Sequence, residues 1–147
     1  MSGLRWLQMS EEELDEFLGD GGTGILSFST GSDEPPLSLP VSYGYLADTG
    51  RFHYRLAIPE DSSKERYLDR PVSFVVHDHT DEGWRSVIAS GKLEDLTELP
   101  YEADALQERW GVDIPLVDIF EKPPDDVTFR QFRLDPERLS GRKEVKT

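Results

Sequence analysis

Apolar and polar residues alternate through Leu37, Leu39, Val41, Tyr43 and Tyr45, the period-two mark of a strand with one buried face. Phe52, Tyr54 and Leu56 alternate in the same way with Arg51, His53 and Arg55. The intervening Ala47-Asp48-Thr49-Gly50 has hairpin-turn chemistry. Before this pair, residues 24–30 (GILSFST) read as a strand and residues 31–36 as a turn. After it, Val72, Phe74 and Val76 mark a fourth strand, Asp81-Glu82-Gly83 a turn, residues 84–96 a fifth strand and residues 127–134 a sixth.

Helical signals are fewer. Ser10-Glu11-Glu12-Glu13 is a capping box, and Leu14, Phe17 and Leu18 give the helix that follows one apolar side. Gly19 and Gly21-Gly22 end it. Residues 62–69 suggest a short helix closed by Pro71. Pro100 opens another, with Ala103, Leu106 and Trp110 on one side and Gly111 as its stop. Residues 112–126 read as irregular, and the polar end from Gly141 as a loose tail. The pattern predicts one mainly β domain over residues 1–147, an antiparallel barrel of six strands with helices outside. A β-sandwich satisfies the same periodicity.

Composition narrows the function. No apolar run approaches the ~20 residues of a membrane-spanning helix. The stretch from Met1 to Ser10 lacks the basic start and apolar core of a secretory signal, so the expected location is the cytoplasm. The absence of cysteine excludes disulfides, thiolate metal sites and cysteine nucleophiles. A net charge of −14 argues against nucleic acid and anionic membranes as partners. Eleven arginines, only five lysines and a large acid excess are the habit of salt-adapted proteins. Salt should then screen self-repulsion and raise the melting midpoint between dilute and molar KCl; an unchanged midpoint contradicts that reading.

The charge is unevenly spread. Residues 51–92 hold seven acids and seven bases, whereas residues 1–50 hold nine acids and one base. An anion site is therefore sought in the middle segment, although ion pairing with nearby acids also accounts for its bases. There, a strand carrying Arg55 leads by a short loop to Ser62-Ser63-Lys64 at the start of the short helix. Free backbone N–H groups, two hydroxyls and an ammonium together suit a phosphate monoester. Simple capping by the serines is the other reading. His77 and His79 share one strand face, but Asp78 points to the other face and no third ligand is evident. No metal is assigned.

The phrases LPVSYGY (39–45), FHYRLA (52–57), SSKERYLDRPVSFVV (62–76), WRSVIASGKLEDL (84–96) and LDPERLSGRK (134–143), in this order and spacing, resemble the pyridoxamine 5′-phosphate oxidase-like family of FMN-binding split barrels. The resemblance implies a six-stranded antiparallel split β-barrel of Greek-key type. It also implies a homodimer, with FMN in a cleft between the subunits and an oxidoreductase activity on a small molecule. By the same resemblance Val41, Ser42 and Tyr43 would lie along the flavin and Tyr54 and Arg55 would contribute from the next strand. Ser62, Ser63 and Lys64 would grip the phosphate. Ser86, flanked by Arg85 and Val87, would complete the pocket and Trp84 would cover it.

Some positions differ from the oxidases themselves. Ser63 stands where they have arginine, Ser86 where they have glutamine, and no tryptophan follows Trp110. Vitamin B6 oxidation is therefore not implied. The W-R-S-V phrase at 84–87 is nearer the nitroimidazole-resistance branch, which has histidine where Arg55 stands. The alternatives left open are a non-catalytic flavin or haem carrier and a deazaflavin-dependent reductase.

Overall fold

The structure, a computed structural model, describes residues 4–57, 66–97, 99–100, 103–104, 108–109 and 129–146. In chain order the elements are β1 (Leu4–Gln8), α1 (Glu11–Leu18), β2 (Gly21–Phe28), β3 (Leu37–Leu46), β4 (Arg51–Ala57), β5 (Val72–Thr80), β6 (Gly83–Gly91), β7 (Leu93–Asp95), β8 (Phe129–Leu134) and β9 (Arg138–Lys146). They form one antiparallel sheet in the order β1-β9-β6-β5-β2-β3-β4-β8-β7. The sheet curls into a half-barrel. Within it the order β5-β2-β3-β4 is a Greek key: three consecutive strands, and a fourth that returns beside the first.

Mainly β architecture, antiparallel pairing and the capped helix agree with the sequence pattern. Among the described residues there are nine strands where six were expected. Residues 4–8 form β1, which the pattern left unassigned, and the expected fifth strand divides after Gly91 into β6 and β7. The expected loose tail is instead the second half of β9, held between β1 and β6. Its side chains are mostly polar on both faces, so it carries no hydrophobic period; backbone pairing to two neighbours makes it a strand.

The concave side of the sheet is the core. Alternate residues of β3 (Val41, Tyr43, Tyr45), β4 (Phe52, Tyr54, Leu56), β5 (Val72, Phe74, Val76) and β6 (Val87, Ala89) are buried there. Phe74 is at its centre, its ring edge-on to those of Tyr43, Phe52 and Tyr54 at 5.3, 5.5 and 5.0 Å. Helix α1 packs against this core. Ser10 and Glu13 make the reciprocal capping bonds expected of them. The Tyr43 hydroxyl donates to the Leu18 carbonyl at 3.1 Å, and that of Tyr45 donates to Asp15 at 2.7 Å. Gly141 lets β9 approach the helix: a methyl there would collide with Leu14 Cδ2.

Candidate functional site

Because side chains alternate along a strand, the outer face is fixed once the core is known. It carries Thr23, Ile25 and Ser27 of β2, Ser38, Pro40 and Ser42 of β3, and Arg51, His53 and Arg55 of β4. From β6 it carries Trp84, Ser86 and Ile88.

The residues expected around a cofactor separate on this basis. Arg55, Ser42, Ser86 and Trp84 face outward, where an external ligand can meet them. Val41, Tyr43, Tyr54 and Val87 are buried in the core, so their backbone alone can line an outer cleft. Burial pushes the Tyr43 hydroxyl up to about 12 and that of Tyr54 well above its ordinary value, and both remain protonated. Arg85 shares the inner side with Val87 and is engaged there by Glu82 at 2.6 Å, with Glu13 at 3.9 Å. Ser62, Ser63 and Lys64 lie outside the described residues.

Arg55 is half-buried, its guanidinium 4.8 Å above the Phe129 ring. Among the described residues no carboxylate pairs with it. Arg109 is almost fully buried nearby, and its Nε donates to Gln131 Oε1 at 2.7 Å. Gln131 is the register partner of Arg55. Burial, with the repulsion of Arg55, holds the Arg109 guanidinium below its usual range. Gln131 of β8 thus holds the Arg109 guanidinium near Arg55, at the end of β4 that leads into residues 58–65.

Beside them is a charged cluster that the sequence did not reveal. Glu108 accepts bonds from Arg51 Nη1 at 2.9 Å and His53 Nε2 at 2.9 Å, with Arg133 Nη1 at 3.4 Å. The cluster docks residues 108–109 on the outer face of β4 and β8 and so delivers Arg109 to Arg55. His53 is fully buried and its Nδ1 has no partner among the described residues. A neutral ring with its proton on Nε2 fits this setting.

Burial disfavours the charged imidazole more than Glu108 favours it, so His53 titrates below its ordinary 6.5. The unfolded chain then takes up a proton that the folded one refuses. Stability is full above about pH 6.5 and falls as pH drops below it. Glu108, whose burial is outweighed by the bonds from His53 and Arg51, is held below its ordinary 4.5 and extends the loss at lower pH. The urea midpoint should therefore decline from pH 6.5 towards pH 5, and His53→Gln should flatten that part of the curve. An unchanged slope in the variant contradicts the assignment.

On the same outer face, towards β5 and β6, His77 stacks on Trp84 with ring centroids 4.7 Å apart and planes 8° from parallel, and His79 meets the same ring edge-on. Among the described residues no cluster of three metal-ligating side chains forms. Next to Trp84, a groove of about 380 Å³ is lined by Trp6, Ser86, Ile88, Ser140 and Arg142. A larger groove of about 510 Å³ lies at the other end of the strands; Ser27, Ser73, Ser90 and Lys92 line it, and it holds none of the expected site residues. No helix among the described residues is long and apolar enough to cross a membrane.

A Greek-key half-barrel with cationic and aromatic groups on its outer face defines the class as a split barrel. The chain belongs to the pyridoxamine 5′-phosphate oxidase family, whose sequence profile matches residues 10–143. Solved structures agree on the fold. An FAD-binding protein from Mesorhizobium loti is 21% identical, with a TM-score of 0.67 over 97% of this chain and 99% of that one. The FAD binding protein from Mycobacterium smegmatis is 17% identical, with a TM-score of 0.68 over 95% and 99%. An FAD and heme binding protein from the same organism is 17% identical, with a TM-score of 0.57 over 92% and 72%. No curated protein matches the sequence.

Proposed function

We propose that this protein is an FMN-binding oxidoreductase of its family, acting as a homodimer on a small molecule. The observation that carries this reading is Arg55. It is an outward guanidinium without a carboxylate partner among the described residues, in a chain of net charge −14. The segment bearing Ser62, Ser63 and Lys64 follows it directly in the chain. A phosphate monoester satisfies such a set of donors by charge-assisted hydrogen bonds. The FAD named for the structural relatives supports a flavin as the ligand, and FMN is the flavin whose chain ends in a single phosphate.

The dimer is supported by where the two groups of outward residues stand. Arg55 on β4 and Ser86 on β6 are separated by β3, β2 and β5. Four strand spacings amount to roughly 19 Å along the sheet, and curvature turns the two outward directions further apart. A flavin that touches both positions takes one from each subunit. Bound flavin supplies two-electron transfer through its ring. The chain's part is to hold the phosphate at Arg55 and Lys64, to line the ring with the β3 backbone at 41–43 and the Ser42 hydroxyl, and to close the far side with Ser86.

Replacing Arg55 and Lys64 together by glutamine should weaken FMN binding by about 100-fold or more, since each charged contact contributes roughly 1.5–3 kcal/mol. The melting midpoint of the cofactor-free protein should stay where it is. Unchanged FMN affinity in the double variant overturns this site.

A further inference from the structure

The larger groove, at the other end of the strands, stands over a row of hydroxyls. Ser38 of β3 is directly opposite Ser27 of β2, and Ser27 is opposite Ser73 of β5. Ser73 is opposite Ser90 of β6, and Ser90 is opposite Arg138 of β9. All five face outward, because the residues beside them, Leu26, Phe28, Val72, Phe74 and Ala89 among them, turn into the core. Strands are about 4.8 Å apart, so the four hydroxyls form a row roughly 14 Å long that ends at a guanidinium. The groove of about 510 Å³ covers Ser27, Ser73 and Ser90, and the β2–β3 loop walls it. Within that loop Thr30 Oγ1 donates to the Glu34 carbonyl at 3.0 Å, and the Glu34 N–H donates to Ser32 Oγ at 3.3 Å. Gly31, at φ +71°, seats the Arg70 side chain; a methyl there would collide with the guanidinium.

Both signs of charge surround it. Lys92 lines the groove, Arg138 flanks it beside Ser90, and Arg70 lies against its loop. All three are exposed, and none pairs with a carboxylate among the described residues. Arg51, Arg85, Arg130, Arg133 and Lys143 all do. In a chain of 30 acids and 16 bases, three such cations stand just before β5, just after β6 and at the start of β9, which favours an anion there. Glu34 and Glu137 also line the groove. Their carboxylates repel a bare oxyanion but accept hydrogen bonds from hydroxyl groups. Phe28, the one aromatic residue along the groove among the described residues, is buried in the core and offers no ring for stacking. Cations, carboxylates and a hydroxyl row together fit an anion carried on a hydroxylated, non-aromatic body. The volume suits a molecule of that size.

We infer that this groove binds a sugar phosphate. The phosphate meets Lys92, Arg138 and Arg70. The sugar hydroxyls lie along Ser90, Ser73 and Ser27 and donate to Glu34 and Glu137. The site is separate from the one read as holding flavin: Ser90 is four residues from Ser86, and Ser38 is four residues from Ser42. Four residues of strand are about 13 Å.

Calorimetric titration tests this with glucose 6-phosphate and ribose 5-phosphate, each against its free sugar and inorganic phosphate, at the lowest KCl concentration that keeps the protein folded. The better sugar phosphate should bind at least about tenfold tighter than its free sugar or inorganic phosphate. Lys92→Gln with Arg138→Gln should remove the advantage over the free sugar. Ser73→Ala with Ser90→Ala should remove the advantage over inorganic phosphate. These four residues lie on the outer face, so the melting midpoint and FMN affinity should be unchanged in both double variants. Equal affinity for sugar phosphate and inorganic phosphate would mean an anion patch only, and overturns the site. Failure of both sugar phosphates to bind, or wild-type affinity in the cation variant, overturns it as well. Competition between FMN and the sugar phosphate also overturns it, because the groove would then be part of the flavin site.

Discussion

Phe74→Ala is expected to lower the unfolding free energy by about 3–5 kcal/mol, the usual cost of truncating a buried phenylalanine. Phe74 is 1% exposed, and its ring contacts Tyr43, Phe52 and Tyr54, which come from two other strands. The cavity would open between β5, β3 and β4, where relaxation is limited because each strand is pinned on both sides. Tyr54 adds to the cost: its hydroxyl is buried without a partner among the described residues, so its ring is held there by packing. Domains of this kind are stable by roughly 5–15 kcal/mol, so the loss is a large share of the total. Urea unfolding at neutral pH measures it. A change below about 1 kcal/mol would mean that the aromatic cluster is not the centre of the core.

Glu108→Ala is expected to act on stability and site together. The variant removes the carboxylate that joins Arg51, His53 and Arg133 and leaves the buried imidazole without its acceptor, while Arg51 keeps Asp135 at 3.7 Å and Arg133 keeps Glu94 at 2.7 Å. Removing one partner of a fully buried pair costs about 3–5 kcal/mol; Arg51 is 31% exposed, so about 2–3 kcal/mol is expected here. Glu108→Gln keeps an acceptor for the His53 N–H and should fall between wild type and alanine. Because residues 108–109 bring Arg109 to Arg55, alanine should also weaken FMN binding, by about tenfold if one charged neighbour is displaced. Full FMN affinity in a destabilised Glu108→Ala would separate the cluster from the site.

The sequence made some of this visible and hid the rest for physical reasons. The alternation through Val41, Tyr43 and Tyr45 is legible because one face of β3 meets the core and the other does not. β9 has polar residues on both faces, since Lys143 turns inward to Glu13 while Arg142 turns outward, so no period marks it. β1 is short, and its large apolar residues Trp6 and Leu7 are exposed, which obscures the sidedness by which strands are recognised. The resemblance pointed to runs of neighbouring residues at 41–43 and 84–87, but alternation sends neighbours to opposite faces. Ser86 and Trp84 are outward; Val87 and Arg85 are not. Val87 and Ala89 were the available signal, because two small apolar residues two apart fix which face of β6 is buried. Nothing local announces Glu108: its partners Arg51 and His53 are 57 and 55 residues away. Trp6 and Arg142 are farther apart still and meet only because β9 pairs with both β1 and β6.

An absorption spectrum of the protein purified in molar KCl decides whether it holds FMN. Near-ultraviolet and blue flavin bands are expected, with FMN recovered in the supernatant after heating, or restored by added FMN if the cofactor is lost in purification. FAD in that supernatant would keep the flavin and correct its form, and a sharp haem band would move the protein to the haem carriers. A colourless protein that takes up no added FMN would rule out the flavin site.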